Sequence, residues 1–305
     1  MDASQNKLTI LSYNFYCRPH FLFKDNQGVR AKLLAFKIKE YETTHKVHID
    51  VVCLQEIFNN FLSDKVYKTI NKEMAKIGFI YRSKRVSVTG SLLNGGSYIL
   101  SRHIIVDKQT KSFSSSNSSI FNSMASKGIS YAKIKYLNKD FHIISTHLDS
   151  FEAKYRKTQM IAMKKWLDKR KITDNIIIAG DYNIDFWSDE MDNVDEVFGD
   201  YSQPDLKFDA GTFNEFTMNA DTNDFIKRRK NEESKKEKSF LDFFVFKSSC
   251  IKSADMTALE LKHKQHANDI LFSTEFMANI YTDKKTIDIE DMSDHYALLS
   301  NFYLQ

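Results

Sequence analysis

Residues 176–183 read Ile-Ile-Ile-Ala-Gly-Asp-Tyr-Asn, an apolar run followed by two polar side chains. The run is too short for a helix, but its length and composition are typical of a strand that is covered on both faces. Gly180 would allow the backbone to turn sharply as it leaves that strand. Asp181 and Asn183 are two positions apart, so on extended backbone they would point in the same direction. The pattern predicts either a polar site at the mouth of a buried strand or a strand that ends in a simple Asx-turn.

Three other predicted strands also end in polar side chains. Their ends are Gln55-Glu56, Thr146-His147 and Ser293-Asp294-His295. A carboxylate can hold a metal ion or a nucleophilic water, and an amide can donate a hydrogen bond to a phosphate oxygen. Similar polar ends on four strands favour a shared functional site over unrelated turns.

Hydrophobic periodicity predicts strands and helices along most of the chain. The predicted strands cover residues 8–16, 49–54, 97–101, 128–136, 140–146, 176–179, 239–246 and 292–299. The predicted helices cover residues 30–41, 60–77 and 151–170, and loops are predicted at 18–28 and 112–126. Residues 138–139 are predicted to form the turn of a hairpin that delivers His147. The strand, helix, strand order near the start favours layered α/β packing.

Length and charge limit the class of protein. The 305 residues, 42% of them hydrophobic, suffice for one large domain with a substantial core. The net charge of +4, from 44 basic and 40 acidic residues, does not resemble the basic stripe of a nucleic-acid-binding protein. Residues 227–238 are the most charged segment, and their mixed Lys and Glu content predicts a charged surface insertion.

Cysteine usage and the start of the chain bear on its compartment. Cys17, Cys53 and Cys250 lack metal-ligand spacing, and three cysteines cannot all pair within one chain. Cys53 lies in an apolar strand pattern, which favours a core position. No apolar run is long enough to span a membrane, and residues 1–7 lack the apolar region of a secretory signal. We expect either a cytoplasmic protein or a secreted protein whose leader is absent from this sequence.

Polar side chains in six motifs combine into one chemical hypothesis. They are Asn14, Glu56, His147, Asp181 with Asn183, Asp242, and Asp294 with His295. Each has a structural explanation by itself; for example, a single histidine is more often hydrogen-bonded than catalytic. Together, however, the carboxylates suit Mg²⁺, and two histidines can serve as a base and a phosphate ligand. The set predicts a site that hydrolyses a phosphodiester.

The order of these motifs resembles that of the endonuclease/exonuclease/phosphatase superfamily over residues 8–303. The resemblance implies a single catalytic domain over residues 1–305 with a DNase I-like, four-layer α/β sandwich. Two mixed β-sheets would pack face to face with helices outside. It also implies hydrolysis of phosphoesters that depends on a divalent metal.

Within that superfamily, the sequence is most similar to the neutral sphingomyelinases of the bacterial sphingomyelinase C type. The similar motifs are Gln55-Glu56-Ile57-Phe58, the glycine-led strand at 94–102, the lysine-glycine strand at 126–134, and Thr146-His147-Leu148. The resemblance implies cleavage of sphingomyelin to ceramide and phosphocholine by a protein that meets its phospholipid or sphingolipid substrate at a membrane surface.

The resemblance also implies which residues bind the metal and the phosphate. Glu56 would bind the main Mg²⁺, which Mn²⁺ or Co²⁺ could replace, and Asn14 would help to hold that metal. Asp294 would lie near a second metal position. Lys127 would place positive charge beside the substrate phosphate.

The remaining residues would act on the reacting groups. By the same resemblance, His295 would be the general base for the attacking water, with Asp242 orienting its imidazole. Asp181 and Asn183 would position the water and the phosphoryl oxygens. His147 would stabilise the pentacovalent phosphorane or assist the leaving group.

The resemblance is incomplete in the features that concern membranes. The bacterial enzymes use an aromatic-tipped hairpin to enter lipid, and the corresponding residues 270–281 contain Phe272, Phe276 and Tyr281 but no tryptophan. These residues predict either membrane contact or an ordinary strand pair. Trp187 is another candidate for the membrane interface, although we expect it to pack in the core.

Three alternatives stay open at this point. A nuclease of the same fold would use residues 227–238 to follow a phosphate backbone, but nucleic acid is the less favoured partner. A phosphoinositide phosphatase or another phospholipase C would use the same residues with different loops. A catalytically silent relative would bind lipid or protein. In each case we expect a monomer.

Overall fold

The computed structural model describes residues 6–17, 27–58, 64–86, 96–113, 127–207, 215–227, 237–262 and 291–305. The strands are β1 (Lys7–Cys17), β2 (Val51–Ile57), β3 (Tyr81–Arg82), β4 (Tyr98–Ser101), β5 (Ile105–Ser112), β6 (Gly128–Tyr136), β7 (Lys139–His147), β8 (Ile176–Asp181), β9 (Asp205–Leu206), β10 (Met218–Asn219), β11 (Lys238–Ser239), β12 (Asp242–Lys247), β13 (Ile251–Leu259) and β14 (Ala297–Leu304). The helices are α1 (Gln27–His45), α2 (Lys65–Lys76), α3 (Ala153–Lys169), α4 (Met191–Phe198) and α5 (Asp224–Lys227). Among the described residues, no helix has the length and apolar character needed to cross a bilayer.

Some predictions concern parts of the chain without a described structure. The aromatic segment 270–281 lies outside the described residues, as do most of the charged segment 227–238 and most of the predicted loops 18–28 and 112–126. Those predictions therefore stay predictions.

The two main sheets are mixed. The larger sheet has the order β3-β4-β2-β1-β14-β13-β9, in which β1 is parallel to β2 and antiparallel to β14. The smaller has the order β12-β8-β7-β6-β5, in which β7 is parallel to β8 and antiparallel to β6. Each sheet therefore contains a parallel pair whose two carboxyl ends lie at the same edge.

Alternation along β1 explains how the larger sheet is covered on both faces. Leu8 and Ile10 belong to the core cluster that also contains Ile143 of β7. Leu11, by contrast, packs in a second cluster with Leu34 of α1 and other residues of α1 and α2. Because successive side chains of a strand point to opposite faces, one face of this sheet meets the other sheet and its opposite face meets the helices.

The smaller sheet is covered on its outer face by α3. The ring of Trp166 on α3 lies 5.2 Å from that of Tyr131 on β6 in an edge-to-face arrangement. Between the sheets, the rings of Phe244 on β12 and Phe302 on β14 are 5.9 Å apart. Helices, larger sheet, smaller sheet and helix form a four-layer α/β sandwich, so the predicted fold is confirmed.

Two predicted strand boundaries are wrong near the site. Residues 239–246 do not form one strand, because β11 ends at Ser239 and β12 begins at Asp242. In between, the carbonyl oxygen of Leu241 accepts from the Tyr182 backbone nitrogen at 3.0 Å. The last strand begins at Ala297, so the Ser293 motif lies in the turn before it. Side-chain and loop hydrogen bonds replace sheet pairing at both places.

Candidate active site

Strand ends from both sheets meet at one edge of the sandwich. In the smaller sheet, His147 at the end of β7 pairs with Asp181 at the end of β8, and Asp181 pairs with Asp242 at the start of β12. In the larger sheet, Asn14 lies towards the end of β1, and Glu56 towards the end of β2. A hydrogen bond of 2.8 Å from Asn14 Nδ2 to Asp181 Oδ2 joins the two sheets at this edge.

Asn14 is buried between carboxylates of the two sheets. Besides Asp181, its Nδ2 donates to Glu56 Oε1 at 3.2 Å. Its own Oδ1 accepts from the Tyr16 backbone nitrogen at 3.1 Å, and its carbonyl oxygen accepts from Ser293 Oγ at 2.6 Å. Asn14 thus holds two carboxylates close together and is itself tied to the turn that carries Asp294 and His295.

Close backbone packing places Glu56. This residue has a φ of 56°, in the left-handed region. A Cβ on neighbouring Gly96 would lie 2.7 Å from the Ile57 backbone nitrogen, so only glycine allows this approach. Burial and the nearby Asp294 carboxylate raise the pKa of Glu56 to about 7.

His295 and Asp242 form a buried ion pair. His295 Nδ1 lies 2.7 Å from Asp242 Oδ2, and His295 Nε2 lies 3.8 Å from Asp181 Oδ2. Burial lowers the pKa of the imidazole, but the carboxylates of Asp242 and Asp181 outweigh burial and raise this pKa to about 10. Because Nδ1 donates its proton to Asp242, Nε2 is the nitrogen that faces Asp181.

His147 has a different electrostatic environment. Its Nε2 lies 2.6 Å from Lys127 Nζ and 3.4 Å from Asp181 Oδ2. Burial and the Lys127 cation lower the pKa of the imidazole to about 3, and burial also lowers the pKa of Lys127. An ammonium group can only donate, so Nε2 of the neutral imidazole accepts from Lys127. Nδ1 then carries the ring proton, and it has no hydrogen-bond partner within the described part of the chain.

The end of β8 corrects two details of the sequence interpretation. Gly180 lies within β8, and not at a turn; a Cβ there would be 2.0 Å from the carbonyl oxygen of Thr146. Asn183 has a φ of 51°, so it does not continue the extended backbone, and its backbone nitrogen donates to Asp181 Oδ1 at 2.8 Å. The Asx-turn is therefore present, and it holds Asp181 with Oδ2 bonded to Asn14. The Asn183 side chain donates to the Leu148 carbonyl oxygen at 3.2 Å.

The site contains oxygen ligands that fit a hard divalent cation. Asp181, Asp242 and His295 each offer one ligand atom within 4.8 Å of the others. Asp242 is already bonded to His295, so within this group Asp181 has the carboxylate best suited to a metal. The family resemblance assigned Asp181 to positioning the water and the phosphoryl oxygens, and did not place it among the metal ligands.

Glu56 and Asp294 extend the same set of ligands. Repulsion from Asp294 is one cause of the raised pKa of Glu56, and a bound cation would compensate such repulsion. Carboxylate oxygens are the ligands that Mg²⁺ prefers. The donor set therefore fits Mg²⁺, while Glu56, Asn14 and Asp294 as its ligands stay a prediction.

Two buried residues that no sequence motif indicated support the site. Arg30 of α1 donates from Nη1 to the carbonyl oxygens of Phe15 at 2.7 Å and Met292 at 2.8 Å, joining the end of β1 to the segment before His295. Thr217 Oγ1 accepts from the Asp242 backbone nitrogen at 3.2 Å. A helical arginine and a loop threonine are common on protein surfaces, so only the packing reveals these two as positioning residues.

Trp187 is not in the core, so that prediction is wrong. Its side chain is 59% exposed, on the turn that follows Asp181. Cys53, by contrast, is fully buried, as predicted.

Comparison with known proteins identifies related sequences and folds. Residues 11–229 match the endonuclease/exonuclease/phosphatase family. Sphingomyelinase C of Bacillus cereus is 25% identical over 248 residues, which cover 74% of this chain and 72% of that protein. Sphingomyelinase C of Listeria ivanovii is 24% identical over 317 residues, which cover 98% and 87%. A structure of a beta toxin mutant from Staphylococcus aureus with bound magnesium ions has a TM-score of 0.76 at 21% identity, covering 98% of this chain and 100% of that one.

Proposed function

The chain belongs to the endonuclease/exonuclease/phosphatase family, and from this premise we propose that it is a Mg²⁺-dependent phosphodiesterase that hydrolyses sphingomyelin to ceramide and phosphocholine. Similarity to sphingomyelinase C of two bacteria supports this substrate. One observation carries the chemistry: two buried imidazoles of opposite electrostatic character flank Asp181 Oδ2, His147 at 3.4 Å and His295 at 3.8 Å. Phosphodiester hydrolysis needs a base for water and, elsewhere, positive charge for the phosphoryl group and leaving oxygen.

His295 is suited to be the general base. Its Nδ1 is held by Asp242 at 2.7 Å, so the ring presents Nε2 towards Asp181. A water hydrogen-bonded to Asp181 and to Nε2 would give its proton to Nε2 as its oxygen attacks phosphorus. Asp242 stabilises the imidazolium that forms, as a carboxylate does in other histidine-based sites.

The base must be neutral before it accepts that proton. Asp181 is one of three carboxylates that raise the pKa of His295, together with Asp242 and Asp294. A divalent cation bound by Glu56, Asp181 and Asp294 would offset these carboxylates and stabilise the negative charge that develops on the phosphoryl and leaving oxygens. If the charge of Asp181 were compensated in this way, the pKa of His295 would fall towards the range in which a base works at neutral pH.

Lys127 and His147 are suited to stabilise the phosphoryl group and the leaving oxygen. The Lys127 ammonium group lies against His147 Nε2 at 2.6 Å, and a phosphoryl oxygen there would accept a hydrogen bond from Lys127. His147 can donate only through Nδ1 in the tautomer described above. Both groups would stabilise the phosphorane and the departing ceramide oxygen by electrostatic complementarity.

The proposed substrate sets the partner. Sphingomyelin is held in a bilayer, so the protein meets it by peripheral contact with a membrane surface, and one chain contains the whole set of site residues. We therefore propose a monomer that acts at a lipid surface.

A panel of substrates tests the proposed function. The purified protein is incubated with Mg²⁺ and, separately, with sphingomyelin vesicles, phosphatidylcholine vesicles, a phosphoinositide and plasmid DNA, each with an EDTA control. We expect phosphocholine release from sphingomyelin that EDTA abolishes. Plasmid cleavage without phosphocholine release would replace the proposal with a nuclease, and phosphate release from the phosphoinositide would replace it with a phosphatase. Turnover of none of them would indicate a silent binder.

A further inference from the structure

Large exposed apolar side chains are divided between two ends of the described structure. Four are aliphatic and two aromatic: Ile80, Ile104, Val106, Leu137, Phe151 and Trp187. Leu137 lies in the turn between β6 and β7, whose other ends pair Gly128 with His147. It is therefore at the end of the sandwich opposite the site. Ile80, Ile104 and Val106 lie at that far end too, next to β3 and the start of β5.

Both aromatic side chains lie at the site end. Phe151 is four residues beyond His147, and Trp187 is six residues beyond Asp181, which pairs with His147. They are 66% and 59% exposed, respectively. The loops that carry them therefore begin at the two neighbouring strand ends that form the site.

Hydrogen bonds fix these two loops to each other. Arg156 of α3 donates from Nη1 to the Asp149 carbonyl oxygen at 3.1 Å, in the loop of Phe151. Its Nε donates to Glu190 Oε1 at 2.6 Å, in the loop of Trp187. A second link joins the Asn183 side chain to the Leu148 carbonyl oxygen at 3.2 Å. The two aromatic side chains are therefore carried by loops that hydrogen bonds join to each other.

The support for Trp187 reaches into the core. Its ring lies 5.0 Å from that of Phe186, which in turn lies 5.7 Å from the ring of buried Phe243. In the other loop, Asp149 Oδ1 accepts from the backbone nitrogens of Phe151 at 2.9 Å and Glu152 at 3.0 Å. Exposed aromatic rings on ordered loops are a feature of surfaces that bind, because they offer large contact area at a small cost in conformational entropy.

Charges beside these rings indicate the chemistry of the partner. Glu152 and Asp189 are exposed, and the neighbouring Lys154 lies 3.8 Å from Glu152. The described residues of the two loops therefore show no positive excess that would attract nucleic acid or an anionic membrane. A zwitterionic bilayer is compatible with it, because the outermost choline groups are cations that suit both carboxylates and aromatic faces.

We propose that Phe151 and Trp187 form a bilayer-contact surface, here called the aromatic rim. This surface would bind zwitterionic phosphocholine headgroups and so place the opening of the site against the bilayer. The inference rests on the proposed function because it assigns a lipid surface to the same site. The Trp187 ring, which carries a polar N–H, would lie at the headgroup level, where such rings are favoured, and the apolar Phe151 ring would insert beside it. Contact through both loops would orient Asp181 and the two histidines towards the lipid.

Fluorescence tests contact at Trp187 directly. The chain has two tryptophans, so Trp166→Phe leaves Trp187 alone, and Trp187→Phe leaves the half-buried Trp166 as the matched control. With phosphatidylcholine vesicles and EDTA, which prevents turnover, we expect a blue shift of emission and quenching by a lipid-attached quencher only in Trp166→Phe. No shift in Trp166→Phe, or equal shifts in both variants, would overturn the assignment.

Paired variants then test whether the rim acts through lipid. Phe151→Ser with Trp187→Ser should weaken sedimentation with these vesicles by about tenfold or more, because each apolar ring loses its burial on binding. Ile104→Ser with Leu137→Ser, at the far end, should bind like the parent. With Mg²⁺, the rim variant should lose more activity on sphingomyelin vesicles than on a water-soluble chromogenic phosphodiester.

The outcomes separate this inference from the proposed function. Vesicle binding that depends on the rim, without phosphocholine release, would reject sphingomyelin hydrolysis and keep the rim. Phosphocholine release together with vesicle binding that the rim variant does not weaken would keep sphingomyelin hydrolysis and reject the rim. Equal losses on vesicles and on the soluble phosphodiester would show that the two residues support the site itself, and would overturn the rim.

Discussion

His295 and His147 are equally buried, at 4% exposure each, and yet their imidazoles behave in opposite ways. The pKa of His295 is raised to about 10, and that of His147 is lowered to about 3. Burial alone lowers the pKa of a histidine. Asp242 reverses this effect on His295, whereas Lys127 reinforces it on His147. Residue type and burial therefore do not decide the role of a histidine in this site; the neighbouring charge does.

The largest effect is expected from removing the imidazole of His295, whose pKa the neighbouring carboxylates raise. His295→Ala should leave the fold intact and lower kcat by up to about 10⁴-fold, since a general base contributes this much at most. His48→Ala, which removes a histidine whose side chain is 65% exposed, is the matched control. Steady-state hydrolysis and thermal unfolding check both variants. A fully active His295→Ala protein would remove His295 from the mechanism.

Asp242→Asn changes the charge beside His295 and keeps the shape. The pKa of His295 should fall from about 10, because Asp242 is the strongest of the groups that raise it. Turnover should drop by about 10³-fold, since the imidazolium formed during reaction loses its stabilising carboxylate. NMR titration of the metal-free protein gives the first value, and vesicle hydrolysis the second. An unchanged pKa would mean that Asp181 and Asp294, and not Asp242, raise the pKa of His295.

Lys127→Met tests the other half of the comparison. The pKa of His147 should rise from about 3, because burial and the Lys127 cation are the two largest causes that lower it, and the variant removes the second. We expect turnover to fall by about 10²-fold through the loss of one charged donor to the phosphoryl group. Lys84→Met, also next to the smaller sheet, serves as a matched charge control. If the pKa of His147 did not move, the Lys127 cation would not be one of its causes, and burial with the nearby His295 charge would explain it.

Gly96→Ala tests whether close backbone packing holds Glu56 beside His147. Glu56 Oε1 lies 3.9 Å from His147 Nε2. A Cβ at Gly96 would meet the Ile57 backbone nitrogen at 2.7 Å. The variant should lose about 1–3 kcal/mol of unfolding free energy, as strained backbone positions do, and about tenfold in activity as Glu56 shifts.

Gly28→Ala is the control for that variant. A Cβ at Gly28 has no neighbour within 4 Å among the described residues. Chemical denaturation should show unchanged or slightly higher stability, because alanine restricts the unfolded chain. Equal destabilisation of both variants would argue against close packing as the cause at Gly96.

The smallest effect is expected at an exposed ion pair, where water weakens the same electrostatics. Hydrogen bonds from Lys164 and Lys247 lower the pKa of Asp200 to about 2 from an ordinary value of 3.8. A lowered carboxyl pKa contributes stability above the unfolded value and loses it as pH falls through the folded value. Asp200→Asn should therefore slightly lower Tm at pH 7 but not below pH about 2. A pH-independent difference in Tm would contradict this origin.

Much of the fold was predictable because it depends on local patterns. The hairpin of β6 and β7 and the buried strand β8 follow from period-two alternation and short apolar runs, and both were found close to their predicted bounds. The predicted strand boundaries were wrong at Phe240, where the strand is interrupted, and before Ala297, where the last strand begins later than predicted. At both places, hydrogen bonds from loops and side chains replace strand pairing in a sequence that is typical of a strand. Trp187 was misplaced because an aromatic residue after a strand has the same sequence pattern whether it is buried or exposed.

The sequence by itself determined most of the strands that lead to the site, the family resemblance and the types of polar side chain near those strand ends. Only the tertiary structure decided which charges became neighbours, since Asp242 and His295 are 53 residues apart and Asn14 and Asp181 are 167 apart. The physical reason is the difference in the range over which the two properties are determined. Backbone conformation responds to adjacent residues, whereas a buried pKa responds to any charge within a few ångströms, wherever that charge lies in the chain.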